Sequence, residues 1–210
     1  MVVPLLMLLV GLVNNLCCFA TFRRPKCRRI GTGHYLYWMS ICNQCNLAFL
    51  AVRLIHLALN ISASHSSTLV NDILCKSSSY WLTTSTRLTY WLGSMIALER
   101  VYVAWFVNGQ WLKRPHIARR IIVTIVITIL VVNGYQWAFI NSQISSDDGS
   151  HAMCAITFPS SPSIWFTLHS AVTIIDSLAP LAINLVCTVT IICIVTKNKM
   201  NATGRDNREY

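Results

Sequence analysis

Several groups of side chains in this sequence are of types that do chemistry, and each sits where its presence is costly. The run Met95-Ile96-Ala97-Leu98-Glu99-Arg100-Val101-Tyr102-Val103 sets an acid beside a base inside an otherwise apolar segment. In a partly dry setting such a pair is weak enough to exchange partners, yet costly to leave unpaired. Arg87 and Asp176 are isolated charges within long apolar stretches, a placement that usually demands a partner. Cys42-x-x-Cys45 has the spacing of half a zinc or redox site. No second ligand pair accompanies it, and i, i+3 cysteines pack readily in a membrane helix, so no metal or cofactor is expected. No Ser-His-Asp, metal-binding or paired-carboxylate set converges on one side, which argues against an enzyme.

The elements that carry these residues follow from composition. The chain has 210 residues, 54% of them apolar and only 11% charged, with a mean hydropathy of +0.53. A soluble domain usually carries about a quarter charged residues. Crossing a hydrocarbon core of about 30 Å takes roughly 20 apolar residues as helix, and such stretches lie at about 2–22, 34–58, 74–104, 117–140 and 164–196. Backbone in lipid must satisfy its own hydrogen bonds, so the expected fold class is an all-α transmembrane bundle of five spans. Asn14 and Asn15 in the first span, and Asn43 and Gln44 in the second, are candidates for a polar bundle core. Asn133-Gly134 predicts a local irregularity in the fourth span, and Pro180 a loosening or kink in the fifth. The tail from Asn198 is polar and expected to be disordered. No internal repeat supports a transporter, and no filter sequence supports a channel.

The formal charge of +10 could suggest nucleic acid as partner, but its distribution argues otherwise. Arg23, Arg24, Lys26, Arg28 and Arg29 follow the first span; Arg100, Lys113, Arg114, Arg119 and Arg120 the third; Lys197, Lys199, Arg205 and Arg208 the fifth. These lie on one side of a five-crossing chain, while the opposite connections carry Asp72, Asp147 and Asp148 without Lys or Arg. The positive-inside rule puts the basic clusters in the cytosol and the N-terminus outside, with lipid as the immediate partner. The first stretch lacks a basic n-region and is followed at once by RRPKCRR, which favours a retained span over a cleaved signal. Of the nine cysteines, only Cys75 and Cys154 fall at the oxidising outer side, making them the natural disulfide. Asn60-Ile61-Ser62 is a glycosylation sequon on that same side.

Cys75 and Arg100 are 25 residues apart, about 37 Å of helix. One therefore belongs at the outer interface and the other at the inner. A third span with an outer cysteine and an inner acid-Arg pair resembles the rhodopsin-like G-protein-coupled receptors, whose Asp/Glu-Arg-Tyr triplet reads Glu99-Arg100-Val101 here. GLVNN in the first span, with Asn14 or Asn15 in the family's position, Cys154 in MCAITF and Pro180 in SLAPLAINL match in order and sidedness. The second span lacks the family's Asp, the fourth its Trp, and nothing matches the family's sixth and seventh helices. The resemblance thus implies a single receptor domain over 1–210 that stops after the fifth span, a fragment in the plasma membrane.

It further implies that Glu99 restrains Arg100 and that Arg100 engages a heterotrimeric G protein. The family sets the third and fifth spans side by side, so Arg87 and Asp176 are expected to pair. Arg53, His56, Trp81, Leu82 and Thr83 lie toward the outer face and are candidate pocket residues, although aromatics there are commonly an interfacial belt. Trp81-Leu82-Thr83 offers no carboxylate for an amine, which leaves a peptide or another ligand. The alternative is a non-signalling five-span protein that accompanies a full-length receptor.

Overall fold

Backbone that crosses hydrocarbon has no water to bond with, and helix is the local solution that all five apolar stretches adopt. The computed structural model describes the backbone of residues 2–27, 30–62, 68–106, 114–144, 152–158 and 164–206. Helices α1 (Val2–Phe22), α2 (Gly31–Ser62), α3 (Thr68–Trp105) and α4 (Pro115–Asn133) lead to a single turn, α5 (Gln136–Phe139). Strands β1 (Ile140–Ile144) and β2 (Ala152–Ile156) form an antiparallel ribbon before the last helix, α6 (Ile164–Asp206).

α3 is the middle of the bundle. It packs on α2, α4 and α6 and also meets α5 and both strands; α1 lies against α2. With 38 residues it is about 57 Å long, well beyond the hydrocarbon thickness, so both of its ends project. The apolar core joins Tyr35 and Cys42 of α2, Leu88 and Leu92 of α3, and Ala118, Ile122 and Ile129 of α4.

Polarity is distributed the opposite way from a soluble protein. Ile174, Leu178, Leu181, Leu185 and Val189 of α6 and Val123, Ile127 and Val131 of α4 are exposed. Thr84, Ser85, Arg87, Ser94, Glu99, Asn133 and Asp176 are buried. Lipid tails are as apolar as leucine and give no reason to hide it, whereas polar groups must find each other inside. Among the described residues, Pro115–Phe139 and Ile164–Met200 are each long and apolar enough to cross a membrane, and Leu6–Phe22 is a shorter apolar helix. α2 and α3 are more polar because they carry hydrogen bonds between them: Thr89 Oγ1 donates to Asn43 at 3.1 Å and Thr86 Oγ1 to Asn46 at 3.4 Å.

The structure departs from the expected boundaries in physically interpretable places. α4 ends at Asn133; Gly134 and Tyr135 keep right-handed helical dihedrals but bond i→i+3, a tightened turn that runs into α5, and Ile140, expected at the span's end, opens β1. α2 extends through Ser62, so Asn60 lies on its last turn, with its side chain outside the described residues. The tail expected to be disordered continues α6 as helix to Asp206, since a long helix propagates at little cost once nucleated. α6 also runs unbroken through Pro180. There Ser94 Oγ donates to the Pro180 carbonyl at 3.1 Å and accepts from Asn184 Nδ2 at 3.3 Å, giving the proline turn polar support from α3.

Leu92 is fully buried at the centre of this packing, while Val123 is 54% exposed on the lipid side. Leu92→Ala should lower stability by about 2–5 kcal/mol, and Val123→Ala by about 0.5 kcal/mol or less. Thermal unfolding of the purified protein in detergent separates the two; equal shifts would contradict this packing.

Candidate functional site

Two polar sites lie along α3, one in its middle and one toward its C-terminal end, expected to be the inner one. The middle site begins with Arg87, which must be satisfied because its guanidinium is only 7% exposed. Its Nη1 lies 3.0 Å from Asp176 Oδ2 of α6, whose carboxylate is 8% exposed. The same nitrogen donates to Asn133 Oδ1 of α4, and Nη2 donates to Thr173 Oγ1 at 3.0 Å. Trp91, one turn along α3 from Arg87, donates from Nε1 to Asp176 Oδ1 at 3.0 Å. Gln136 Nε2 donates to Asn133 Oδ1 at 3.0 Å, and Asn133 Nδ2 returns to its own helix at the Ile129 carbonyl, 2.7 Å away. Asp176 Oδ2 accepts no well-aligned hydrogen bond. Its contact with Arg87 is therefore mainly Coulombic, a 3.0 Å approach of two buried full charges.

This network explains the turn after α4. Gly134 and Tyr135 keep right-handed helical dihedrals with i→i+3 bonds, which holds Gln136 over Asn133 so that its amide supports the acceptor facing Arg87. Asp176 and Trp91 also border a cavity of about 350 Å³ between α3, α4 and α6, otherwise walled by residues such as Thr124, Thr128, Ile129 and Ile175.

The inner site is built on Glu99, which is 1% exposed. Its Oε1 accepts from the Thr32 backbone N–H at 3.1 Å and from Thr32 Oγ1 at 2.8 Å. Thr32 stands in the first turn of α2, where N–H groups lack helical partners and the helix dipole favours a negative charge. Glu99 thus caps α2 from another helix. Its Oε2 and the Tyr35 hydroxyl are buried without a hydrogen bond among the described residues.

Arg100 is exposed, and the ion pairs among the described residues are Lys76–Asp72 and Arg87–Asp176. Among the described residues no ion pair joins Glu99 to Arg100; the carboxylate is engaged by Thr32. Adjacent residues of a helix point about 100° apart, so Glu99 turns toward α2 while Arg100 faces outward. Val101 is half-buried between them and the end of the helix.

The other expected residues are scattered. Asn15 borders a small cavity against Ser40, Gln44 and Cys45 of α2, whereas Asn14 is exposed on the outer flank of α1. Asn43 bonds to α3 as described, and Gln44 is half-buried. Arg53 is exposed, and the His56 side chain lies outside the described residues. Trp81 stacks on Phe49 at 6.0 Å between centroids and meets Tyr80 edge-on at 5.5 Å, an aromatic belt arrangement, while Leu82 and Thr83 are half-buried beside it. Cys75 is disulfide-bonded, and Cys17, Cys18, Cys27, Cys42, Cys45, Cys187 and Cys193 are free thiols. Cys154 stands on β2, which packs near α3, with its side chain outside the described residues.

A bundle of long, lipid-faced helices around a central one that carries buried charge defines a multi-pass helical membrane protein. Residues 13–209 match the 7 transmembrane receptor (rhodopsin family), and the chain belongs to that family. Its class of activity is accordingly receptor signalling of the G-protein-coupled type, and the family is generally non-enzymatic. Comparison with curated proteins gives no match to an individual relative.

Thr32, Trp91, Asn133, Gln136 and Thr173 were not anticipated as site residues. Trp91 had a signal in its i+4 spacing from Arg87, and Asn133 in being an amide at the end of a β-branched run. Thr32 had none, since only folding brings it to Glu99. Removing one partner of a buried pair leaves an uncompensated charge at about 3–5 kcal/mol. Asp176→Ala should therefore abolish surface expression or cut it severely, and the exchange Arg87→Asp with Asp176→Arg should restore part of it. Flow cytometry of an outer epitope measures both, and normal expression of Asp176→Ala would show that the pair is dispensable.

Proposed function

We propose that the chain carries an extracellular signal to a cytosolic heterotrimeric G protein, with Arg100 as the contact and Glu99 as its regulator. The observation that supports this best is the capture of the Glu99 carboxylate by the first turn of α2, which leaves the Arg100 side chain exposed at the inner end of α3. An acid that can sit on Thr32 or turn toward Arg100 couples the spacing of α2 and α3 to the availability of the cation. Glu99, Arg100 and Val101 are in this reading the coupling triplet.

The orientation that goes with it has the N-terminus outside and the basic clusters in the cytosol of a plasma-membrane protein. Cys75 then bonds Cys154 and ties the β1–β2 ribbon over the outer end of α3, and Asn60 is open to glycosylation. The receptor domain covers residues 1–210 as one unit. For the ligand we favour a peptide, with Arg53, His56, Trp81, Leu82 and Thr83 near its entry. Trp81-Leu82-Thr83 offers no carboxylate for an amine, and ribbon edges supply backbone groups that an extended peptide can pair with.

Hydrogen bonds to a charged group contribute about 1.5–3 kcal/mol, so loss of the Thr32 hydroxyl should shift the balance of Glu99 about tenfold. Thr32→Val is expected to change basal nucleotide exchange on a co-expressed G protein by that order, and Arg100→Ala to abolish exchange. Radiolabelled GTP-analogue uptake in membranes measures both. Exchange at background for the wild type and both variants, with normal surface expression, would instead favour the non-signalling partner of a full-length receptor.

A further inference from the structure

A buried polar atom without a partner has given up its hydration for nothing, and it persists only where the surroundings hold it there. The site around Glu99 contains two such atoms. Glu99 Oε2 and the Tyr35 hydroxyl have no hydrogen bond among the described residues, in side chains that are 1% and 0% exposed. One is a charged acceptor and the other a donor, so a single bond between them would satisfy both. Glu99 is also the charged group that acts electrostatically on the Tyr35 hydroxyl.

Helix geometry brings the two to one level. Thr32 and Tyr35 are three positions apart on α2 and share a face. Side chains on a helix lean toward its N-terminus, so Tyr35 covers the turn before its own Cα, which is the turn that carries Thr32. The ring is held in place, because it belongs to the buried cluster with Leu88 and Leu92 of α3 and Ala118 and Ile122 of α4. Glu99 lies seven positions from Leu92 on α3 and therefore on the same face. Its unbranched side chain lets the carboxylate pivot where the ring cannot. The Thr32 backbone N–H, bonded to Oε1 at 3.1 Å, is the fixed point of that pivot. The Thr32 hydroxyl, 2.8 Å from the same oxygen, and the Tyr35 hydroxyl are then alternative second donors to one carboxylate.

We infer that Tyr35 is a positioning residue for Glu99: its hydroxyl takes the carboxylate when the Thr32 hydroxyl releases it, and so keeps the acid on α2 and away from Arg100. This deepens, and rests on, the coupling role proposed above for Glu99 and Arg100. In the arrangement described here the Tyr35 hydroxyl is idle and its burial is a cost; in the second arrangement that cost is recovered as the Thr32 hydroxyl bond is lost. The idle hydroxyl thereby keeps the two arrangements close in energy. Glu99 can change donors without leaving α2.

The test is a double-mutant cycle between Thr32→Val and Tyr35→Phe, read first by thermal unfolding of the purified full chain in detergent. Valine keeps the backbone N–H and removes the hydroxyl of residue 32; phenylalanine keeps the ring and removes the hydroxyl of residue 35. Alone, Tyr35→Phe deletes an unsatisfied group and should raise Tm by about 2–4 °C. With Thr32→Val the same hydroxyl holds the carboxylate, so its deletion should lower Tm. Thr32→Ser retains a hydroxyl and should restore the increase. A tyrosine that only fills the core gives one sign in all three backgrounds, and that result overturns the inference. The second readout is nucleotide exchange on a co-expressed G protein at normal surface expression. Tyr35→Phe should lower exchange about tenfold more with Thr32→Val than alone; additive effects there, with wild type active, overturn the inference as well. Exchange at background in every variant, with the reversal of sign in Tm intact, refutes the coupling role and upholds Tyr35 as the second holder of Glu99.

Discussion

The bundle depends on how it accommodates one guanidinium in hydrocarbon. A charged residue at the middle of a membrane helix costs about 2.5–3.5 kcal/mol on insertion scales, and more where water cannot follow it. Arg87 meets this cost with groups from two other helices: Asp176 and Thr173 from α6, and Asn133 from α4. Trp91 then holds the remaining carboxylate oxygen from α3 itself. Since apolar contact gives little net drive for helices to associate in lipid, directional bonds of this kind decide which helices become neighbours. They also fix relative heights, because a guanidinium fork reaches its partners in few geometries.

Other features follow from that constraint. α4 must present Asn133 to Arg87, and the tightened i→i+3 turn through Gly134 and Tyr135 keeps Gln136 over the same amide. α6 must present Asp176 to α3 while carrying Pro180 one turn further on, which weakens its own ladder near the charge. Ser94 and Asn184 provide polar bonding at that turn, so the same pair of helices is joined again just beyond the ion pair. The outer faces, free of such demands, are filled with exposed Ile, Leu and Val.

How much of this was legible in the chain depended on the range of the cause. Apolar run length is local, and it located all five long helices, because the backbone has no alternative in lipid. The pairing of Arg87 with Asp176 was also foreseeable, since an unpaired charge at that depth is so costly that a partner must be sought among few candidates. What stayed hidden was set by contacts distant in sequence or by details of direction. Thr32 and Glu99 are 67 positions apart, and nothing in either neighbourhood marks the bond. The adjacency of Glu99 and Arg100 does not by itself tell which way either faces: on a helix, neighbours in sequence diverge in space. The ribbon between α5 and α6 lay in a polar connection where periodicity is weak, and the end of α6 persisted as helix because no proline or glycine cap stops it before Gly204.

The two sites are linked by the helix that carries both. Arg87 and Glu99 are twelve positions apart on α3, about 18 Å along a continuous helix. At the middle level the cation of α3 is held by the carboxylate of α6; at the inner level the carboxylate of α3 is held by the first turn of α2. α3 is therefore anchored on opposite partners at two heights, with Leu88 and Leu92 buried between them. Rigid motion of α3 toward one partner strains its bonds to the other, so a small displacement is resisted at both levels together. A larger one must break whichever anchor is less well satisfied. The middle anchor has several mutually supporting donors and acceptors, whereas Glu99 keeps one oxygen unbonded and relies on a single residue of α2. The inner contact is accordingly the one that yields first. It is also the one next to Arg100, which makes the cheapest motion of the bundle the motion that alters the surroundings of its exposed cation.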